Sequence, residues 1–267
     1  MKKLITDEIW GVPEWNSPID LSWPLNFNGP NPSAFSIPSP SREPLRMGAF
    51  VGSVSEGGSC NVFALSLHPH GQGTHTECVG HISREPIYLN DCLQRFWFRA
   101  LLFRVIPREV TGDRIILRKD LKRVWESMVM NTVSGERIGA SDCGIEALIV
   151  CAGGPSWCEN SGACPVYSGA NPPYFEASAM EYVREMGVLH LLTDLPSVDR
   201  EDDGGQLSAH HAFWNYPSAP RREATITEII RVPLDLPNGF YHLNLMIAPL
   251  LSDASPSKPI LYSLLKR

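Results

Sequence analysis

Six of the eight histidines in this 267-residue chain fall in two short windows. The first window reads His68-Pro-His70-Gly-Gln-Gly-Thr-His75-Thr-Glu77-Cys-Val-Gly-His81. In an extended chain Ser66, His68 and His70 share one face, opposite Leu65 and Leu67. Gly71 and Gly73 then permit a tight reversal, because glycine tolerates positive φ. His75 and Glu77 are two apart, so an extended segment points them the same way. His70, His75 and Glu77 therefore converge on one point. Imidazole and carboxylate together suit zinc, manganese or iron. One histidine alone would be taken for a surface or hydrogen-bonded residue. This density beside two glycines and a glutamate favours a metal site. His68 precedes a proline, has no evident partner, and is read as structural.

The second window holds Asp194-Leu-Pro-Ser-Val-Asp199 and then His210-His211, with Glu228 following in Thr-Ile-Thr-Glu-Ile-Ile. A rigid metal site needs ligands from more than one segment, and these are the natural donors. Asp194 ends an apolar run, and active groups of open α/β sheets sit at strand ends. Asp194 and Asp199 stand equally well as turn-capping residues, since Asp beside Pro and Ser favours turns. Glu228 lies in an apolar, β-branched run, where a lone carboxylate is costly unless paired or bound to a cation. That favours a ligand.

The elements that position these groups come from hydrophobic periodicity. Asn61–Leu67 alternates and leads into the first window. Ala100–Val105, Ile145–Cys151 and Val188–Thr193 are apolar runs of strand length. Between the last two, Met180, Val183 and Met186 mark a helix over Glu176–Met186, stopped by Gly187. Strand, helix and strand of this length form a βαβ unit. Leu121, Val124 and Met128 give a second helix over Asp120–Met130, capped by Asp120. Phe240–Ala248 and Ile260–Leu265 read as strands. The sum is an α/β domain with a mixed sheet and long loops. Residues 11–48 are rich in Pro, Gly, Ser and Asn yet carry Trp15, Trp23, Phe27 and Phe35. They form an ordered, irregular segment packed on the domain.

Apolar residues make up 43% and charged residues 19%, enough for a real core, and the formal net charge is −6. Nothing electrostatic directs such a chain to nucleic acid or to an anionic membrane. Met-Lys-Lys-Leu-Ile opens like a signal peptide, but Asp7 and Glu8 follow before an apolar region forms. No apolar stretch is long enough to span a bilayer. Seven cysteines are spread irregularly, with Cys151, Cys158 and Cys164 the nearest group, and their spacing matches no zinc ribbon. A reduced, cytoplasmic protein is expected.

These residues resemble the cyclase-like metal hydrolases that include bacterial kynurenine formamidase and isatin hydrolase. The family signature is H-x-G-T-H-x-D-x-P-x-H. Gly73-Thr74-His75 matches its G-T-H, and Glu77 stands at its bridging Asp. His81 stands at its terminal, catalytic His. Ser197-Val198-Asp199 looks like its Ser-Val-Asp stretch, His210 matches its later metal-binding His, and Glu228 its bridging Glu. Asp20-Leu-Ser-Trp-Pro-Leu25 and Ala248-Pro-Leu-Leu-Ser-Asp-Ala-Ser-Pro256 are similar to its two ends. Three departures stand out. The family's first His falls at Gly71, so His70, one residue earlier, takes that role through an extra residue in the loop. Glu77 is longer than Asp by one methylene. Cys78-Val79-Gly80 replaces the stretch that holds the proline.

The resemblance implies one domain over 1–267, with 1–48 its irregular segment, in a layered β/β/α architecture of the swivelling type. It implies a divalent metal on His70, His75, Glu77, His210 and Glu228: zinc, one or two ions, with manganese as the alternative. The implied reaction is hydrolysis of an amide-type bond in a small molecule, an aryl formamide or a cyclic lactam or imide. Metal-bound hydroxide attacks and His81 shuttles the proton. The implied assembly is a homodimer or homotetramer. A second reading is an inactive relative that binds a small metabolite around one structural metal. A third, a hydrolase using Cys78 and a histidine, has no G-x-S-x-G elbow or activating context behind it.

Overall fold

The short apolar runs become the middle of one large sheet. A computed structural model describes residues 10–130, 140–152 and 164–265. The Met-Lys-Lys opening and Cys158 lie outside the described residues. Eight strands build the sheet: β1 (Ile19–Asp20), β2 (His75–Cys78), β3 (Trp97–Arg104), β4 (Ala147–Cys151), β5 (His190–Thr193), β6 (Thr225–Glu228), β7 (Gly239–Ile247) and β8 (Ala254–Tyr262). Their spatial order is β1-β8-β7-β3-β4-β5-β6-β2, and β2 also pairs with β8. The sheet therefore closes on itself, with β1 outside the ring. β3, β4, β5 and β6 run parallel, and the remaining pairings are antiparallel. The α/β, mixed-sheet expectation is met.

Both faces of the parallel strands are covered, so their middles read as apolar runs rather than as alternation, with buried polar groups at His190, Thr193, Thr225, Thr227 and Glu228. Leu101, Phe103, Leu148, Val150 and Leu191 pack on a helical layer. That layer contains α2 (Arg118–Met130), α3 (Ala177–Glu185) and α4 (Ser208–Trp214). Ala100, Leu102, Ala147, Ile149 and Leu192 point the other way, against Leu243, Leu245 and Leu261 of β7 and β8. The alternation splits adjacent residues between two cores, one on each side of the sheet. The βαβ unit is present: β4, α3 and β5 follow one another, β4 and β5 pair directly, and Gly187 stops the helix region at φ 82°.

Four local expectations are corrected. The strand before the first window ends at Ser66 and pairs with Ser41–Pro44. Its continuation is a single helical turn, α1 (Pro69–Gln72), so His68 and His70 share no strand face. Pro69 suits the first helical position, where its missing N–H costs nothing. His68 N donates to Gln72 Oε1 at 2.7 Å and closes the turn. Gly71 and Gly73 are not required for positive φ; Gly73 has φ 177°. Their neighbours stand close instead. A Cβ on Gly71 would meet Ile37 Cδ1 at 2.5 Å, and one on Gly73 would meet Leu25 Cδ2 at 3.1 Å. Asp120 does not cap α2; it lies in the first turn, where its two oxygens accept from Arg108 Nε and Nη2, each at 2.7 Å. The last strand begins at Ala254, six residues before the apolar run that marks it, because Pro256 and Pro259 interrupt the pattern.

Among the described residues no helix is long and apolar enough to cross a membrane, and no disulfide forms among the described cysteines.

Candidate metal centre

The centre forms where the ring closes. β2 lies between β6 and β8, with His75 opposite Glu228 on one side and Glu77 opposite Ala254 on the other. Alternation along β2 puts His75 and Glu77 on one face, as their spacing predicts. Glu228, on the neighbouring strand, faces them. His75, Glu77 and Glu228 are all buried, and their ligand atoms lie within 4.8 Å of one another.

His75 and His210 each have Nδ1 held by an acceptor and Nε2 directed at a carboxylate of the cluster. His75 Nδ1 is 3.0 Å from the Gly73 carbonyl, an acceptor only, so the ring donates there. His75 Nε2 is left 3.3 Å from Glu228 Oε2. His210 comes from α4, which packs on the same face of the sheet as Ile226 of β6. Its Nδ1 lies 2.6 Å from Asp199 Oδ2, and its Nε2 lies 3.0 Å from Glu77 Oε1 and 3.8 Å from Glu228 Oε1. Asp199 also accepts from Ala209 N and His210 N, at 2.7 and 3.1 Å, and so satisfies the start of α4. This carboxylate–histidine arrangement is how proteins orient metal-binding imidazoles.

The outer oxygen of Glu77 faces the mouth. His70 Nδ1 lies 3.0 Å from Glu77 Oε2, and His70 Nε2 lies 3.0 Å from Asp253 Oδ2. His81 follows β2 in a short 3-10 turn, with Nδ1 3.8 Å from Glu77 Oε2 and 3.6 Å from Asp253 Oδ2. His70 and His81 are each about one-quarter exposed, at 28% and 26%.

The donor set fits a divalent cation. His75 Nε2 and Glu77 Oε2 are buried without any hydrogen-bond partner, among the described residues. The 3.0 Å approach of His70 to Glu77 Oε2 has hydrogen-bond length, but the N–H direction misses the oxygen, so it counts as attraction between charges only. An imidazole lone pair facing a carboxylate inside a protein is unfavourable unless a cation lies between them. Protons supply that charge in a metal-free chain. Burial opposes the His210 imidazolium, but Asp199, Glu77 and Glu228 raise its pKa well above the ordinary value. Burial likewise opposes His70, yet Asp253 and Glu77 push it up to about 10. Burial raises the Glu77 carboxyl, while His81, His210 and His70 together hold it well below the usual range.

All six residues named from the sequence, His70, His75, Glu77, His81, His210 and Glu228, thus meet in one cluster. His70 stands on the outer side of Glu77, with His81 rather than with Glu228. Asp199 anchors a helix and a histidine and is not among the grouped ligands. Asp194 lies outside the groups too: its Oδ1 accepts from Ala152 N at 2.8 Å, and burial pushes its pKa up to about 6. His211 faces the Tyr216 carbonyl, and His68 contacts Gln72. Asp253 was missed. It sits in Leu-Leu-Ser-Asp-Ala-Ser-Pro, a run that looks like a turn, and only the tail's family likeness marks it. Of the aromatics, Trp23 packs against Ala34, Tyr167 and Ile229 as core.

The Cyclase family model matches residues 19–200. No curated protein matches the chain in sequence. Solved structures share the fold. An isatin hydrolase bound to the product analogue thioisatinate is 14% identical, with TM-score 0.63, over 98% of this chain and 95% of that one. Isatin hydrolase A from Labrenzia aggregata is 15% identical, with TM-score 0.62, over 93% and 94%. A predicted metal-dependent hydrolase from Bacillus stearothermophilus is 16% identical, with TM-score 0.56, over 92% and 98%.

Proposed function

This chain belongs to the Cyclase family, and from that premise we propose that it hydrolyses an amide-type bond in a small molecule, an aryl formamide or a cyclic lactam or imide. The carrying observation is the pair of buried, unpartnered ligand atoms, His75 Nε2 and Glu77 Oε2, facing other carboxylates and imidazoles. His75, Glu77, His210 and Glu228 would hold the catalytic metal, with His70 at the outer oxygen of Glu77. A divalent ion bound there would supply acidified water, with a pKa of about 7, and would polarise the scissile carbonyl.

The protein's own groups do the rest. Asp199 and the Gly73 carbonyl keep the proton of His210 and of His75 on Nδ1, so both Nε2 atoms stay available inside. Glu77 and Glu228 each present two oxygens, one toward each histidine side, and so can bridge two positions. His81, at the mouth, is free of hydrogen bonds to the inner set and delivers a proton to the leaving nitrogen. Zinc is the ion on this reading, with manganese the alternative. The chain is one domain, works in the cytoplasm, and assembles as a homodimer or homotetramer.

The test is elemental analysis followed by a substrate screen. His75→Ala and Glu228→Ala should each purify without the tightly held metal of the wild type. Full metal occupancy in both variants would refute the ligand assignment. Purified wild type should turn over members of a panel of aryl formamides, lactams and imides. Failure on the whole panel with metal bound would refute the reaction class.

A further inference from the structure

Two thiols at the far end of β2 take no part in the metal centre. We propose that Cys78 and Cys92 form a reversible disulfide in response to peroxide, with Cys92 as the reacting thiol and Cys78 as the resolving one.

Placement carries the pairing. His75 opens β2 opposite Glu228, whereas Cys78 closes it opposite Thr225, at the other end of β6. Cys92 ends the short helix Leu89–Cys92, which packs on β2. The Cys78 and Cys92 thiols lie within hydrogen-bonding reach of each other, and both pack in the apolar cluster that holds Leu89 and Phe98.

Access assigns the roles. Cys78 is fully buried, so an oxidant does not meet it first. Cys92 is half-buried and lines an open cavity of about 330 Å3 with Arg95, Phe98, His190 and Arg222. A hydrogen bond from Cys78, with Arg222, lowers the Cys92 thiol against the opposing effects of burial and Asp91. The thiolate is the nucleophile, and reactive cysteines sit in partly exposed settings with a cation nearby.

The Cys92 thiolate attacks one oxygen of hydrogen peroxide. The O–O bond breaks, hydroxide leaves, and Cys92 becomes a sulfenic acid. The Cys78 sulfur then attacks the Cys92 sulfur. The S–O bond breaks, and the Cys78 proton departs with that hydroxyl as water. Two thiols lose two electrons to one peroxide and give one disulfide and two waters.

Reversibility follows from the contacts of the reduced state. The Cys78 thiol donates to the Ile87 carbonyl at 3.5 Å, and its sulfur accepts from Gly80 N at 3.4 Å. A disulfide keeps the acceptor and loses the donor, so the Ile87 carbonyl gives up that hydrogen bond. Contacts that stabilise a dithiol make its disulfide easier to reduce, which is the labile kind of bridge.

Reduced full-length protein is treated with one equivalent of hydrogen peroxide, blocked with iodoacetamide, digested and mapped by mass spectrometry without reductant. A peptide linking Cys78 to Cys92 should form, and excess reduced glutathione should return both residues to thiols. Cys60, which is exposed, gauges the oxidation. Oxidised Cys60 with Cys78 and Cys92 both still thiols would overturn the pair. A linked peptide that resists excess glutathione would overturn its reversibility. In Cys78→Ala, Cys92 should accumulate as a sulfenic acid, with dimedone trapping there up about tenfold over wild type. Equal trapping in the two proteins would overturn the assigned roles. The wild-type map decides the pairing even if the variant does not fold.

Discussion

Replacing Asp199 with Asn should weaken metal binding without unfolding the protein. The carboxylate has two tasks: Oδ1 accepts from Ala209 N at 2.7 Å, and Oδ2 accepts from His210 Nδ1 at 2.6 Å and from His210 N at 3.1 Å. Asn keeps the shape and one oxygen. That oxygen can still serve the start of α4, so the cost to stability should stay near the low end of a lost cap, about 0.5 kcal/mol. The amide NH2 then faces the Nδ1–H of His210, donor against donor. The ring relieves this by moving its proton to Nε2, the atom that points at Glu77 Oε1 from 3.0 Å. A ligand in the wrong tautomer, or stripped of its orienting partner, costs about 10- to 100-fold in metal affinity, or about 1.4–2.7 kcal/mol. Competition against a chromophoric zinc chelator measures the affinity, and thermal melting measures the fold. Wild-type affinity in folded Asp199→Asn would show that His210 does not need Asp199, and would remove His210 from the ligand set.

Three further outcomes follow from particular contacts. His190 is buried beside Phe98 and Thr225, and that burial, with Arg95 and Arg221, lowers its pKa to about 3. Above about pH 6.5 it is neutral folded and unfolded; between 6.5 and 3 only the unfolded chain takes the proton, so stability falls on acidification. From pH 7.5 to 5 this amounts to about 2 kcal/mol, and His190→Asn should lose that much less in denaturant titrations; equal losses would refute it. Gly80→Ala would set a Cβ 2.1 Å from the Ile87 carbonyl in the turn that carries His81, and should cost about 1–3 kcal/mol, against the null result of an unshifted denaturation midpoint. His81→Ala should keep the tight metal and lose about 100- to 10,000-fold in turnover; undiminished turnover would take His81 out of the reaction.

Legibility in the sequence followed the range of the interactions. His75 and Glu77 were readable because a strand of period two is a local rule, and Glu228 because a charge in an apolar β-branched run needs a reason. The parallel strands were readable as apolar runs, since both their faces are covered. The surroundings of Gly71 and Gly73 were not, because the atoms that crowd them belong to Ile37 and Leu25, contributed by the irregular segment. Asp199 stood evenly between a turn and a ligand; it is neither, and only the fold shows the helix it starts and the histidine it holds. Asp253 reaches His70 across 183 positions, a pairing no local pattern encodes.

The closure of the ring at β2 has a consequence for how the protein is made. His75–Cys78 leave the ribosome early, yet their hydrogen-bonding partners are Thr225–Glu228 and Ala254–Pro256. Until those residues have been synthesised, β2 has no neighbour on either side. Contacts between such distant segments form slowly, because the intervening chain must first be organised. The nascent chain therefore displays a histidine-rich segment before it has the strands that enclose it. The enclosed cluster of His75, Glu77, His210 and Glu228 is therefore among the last features of the fold to appear, and its assembly marks the closing of the whole ring.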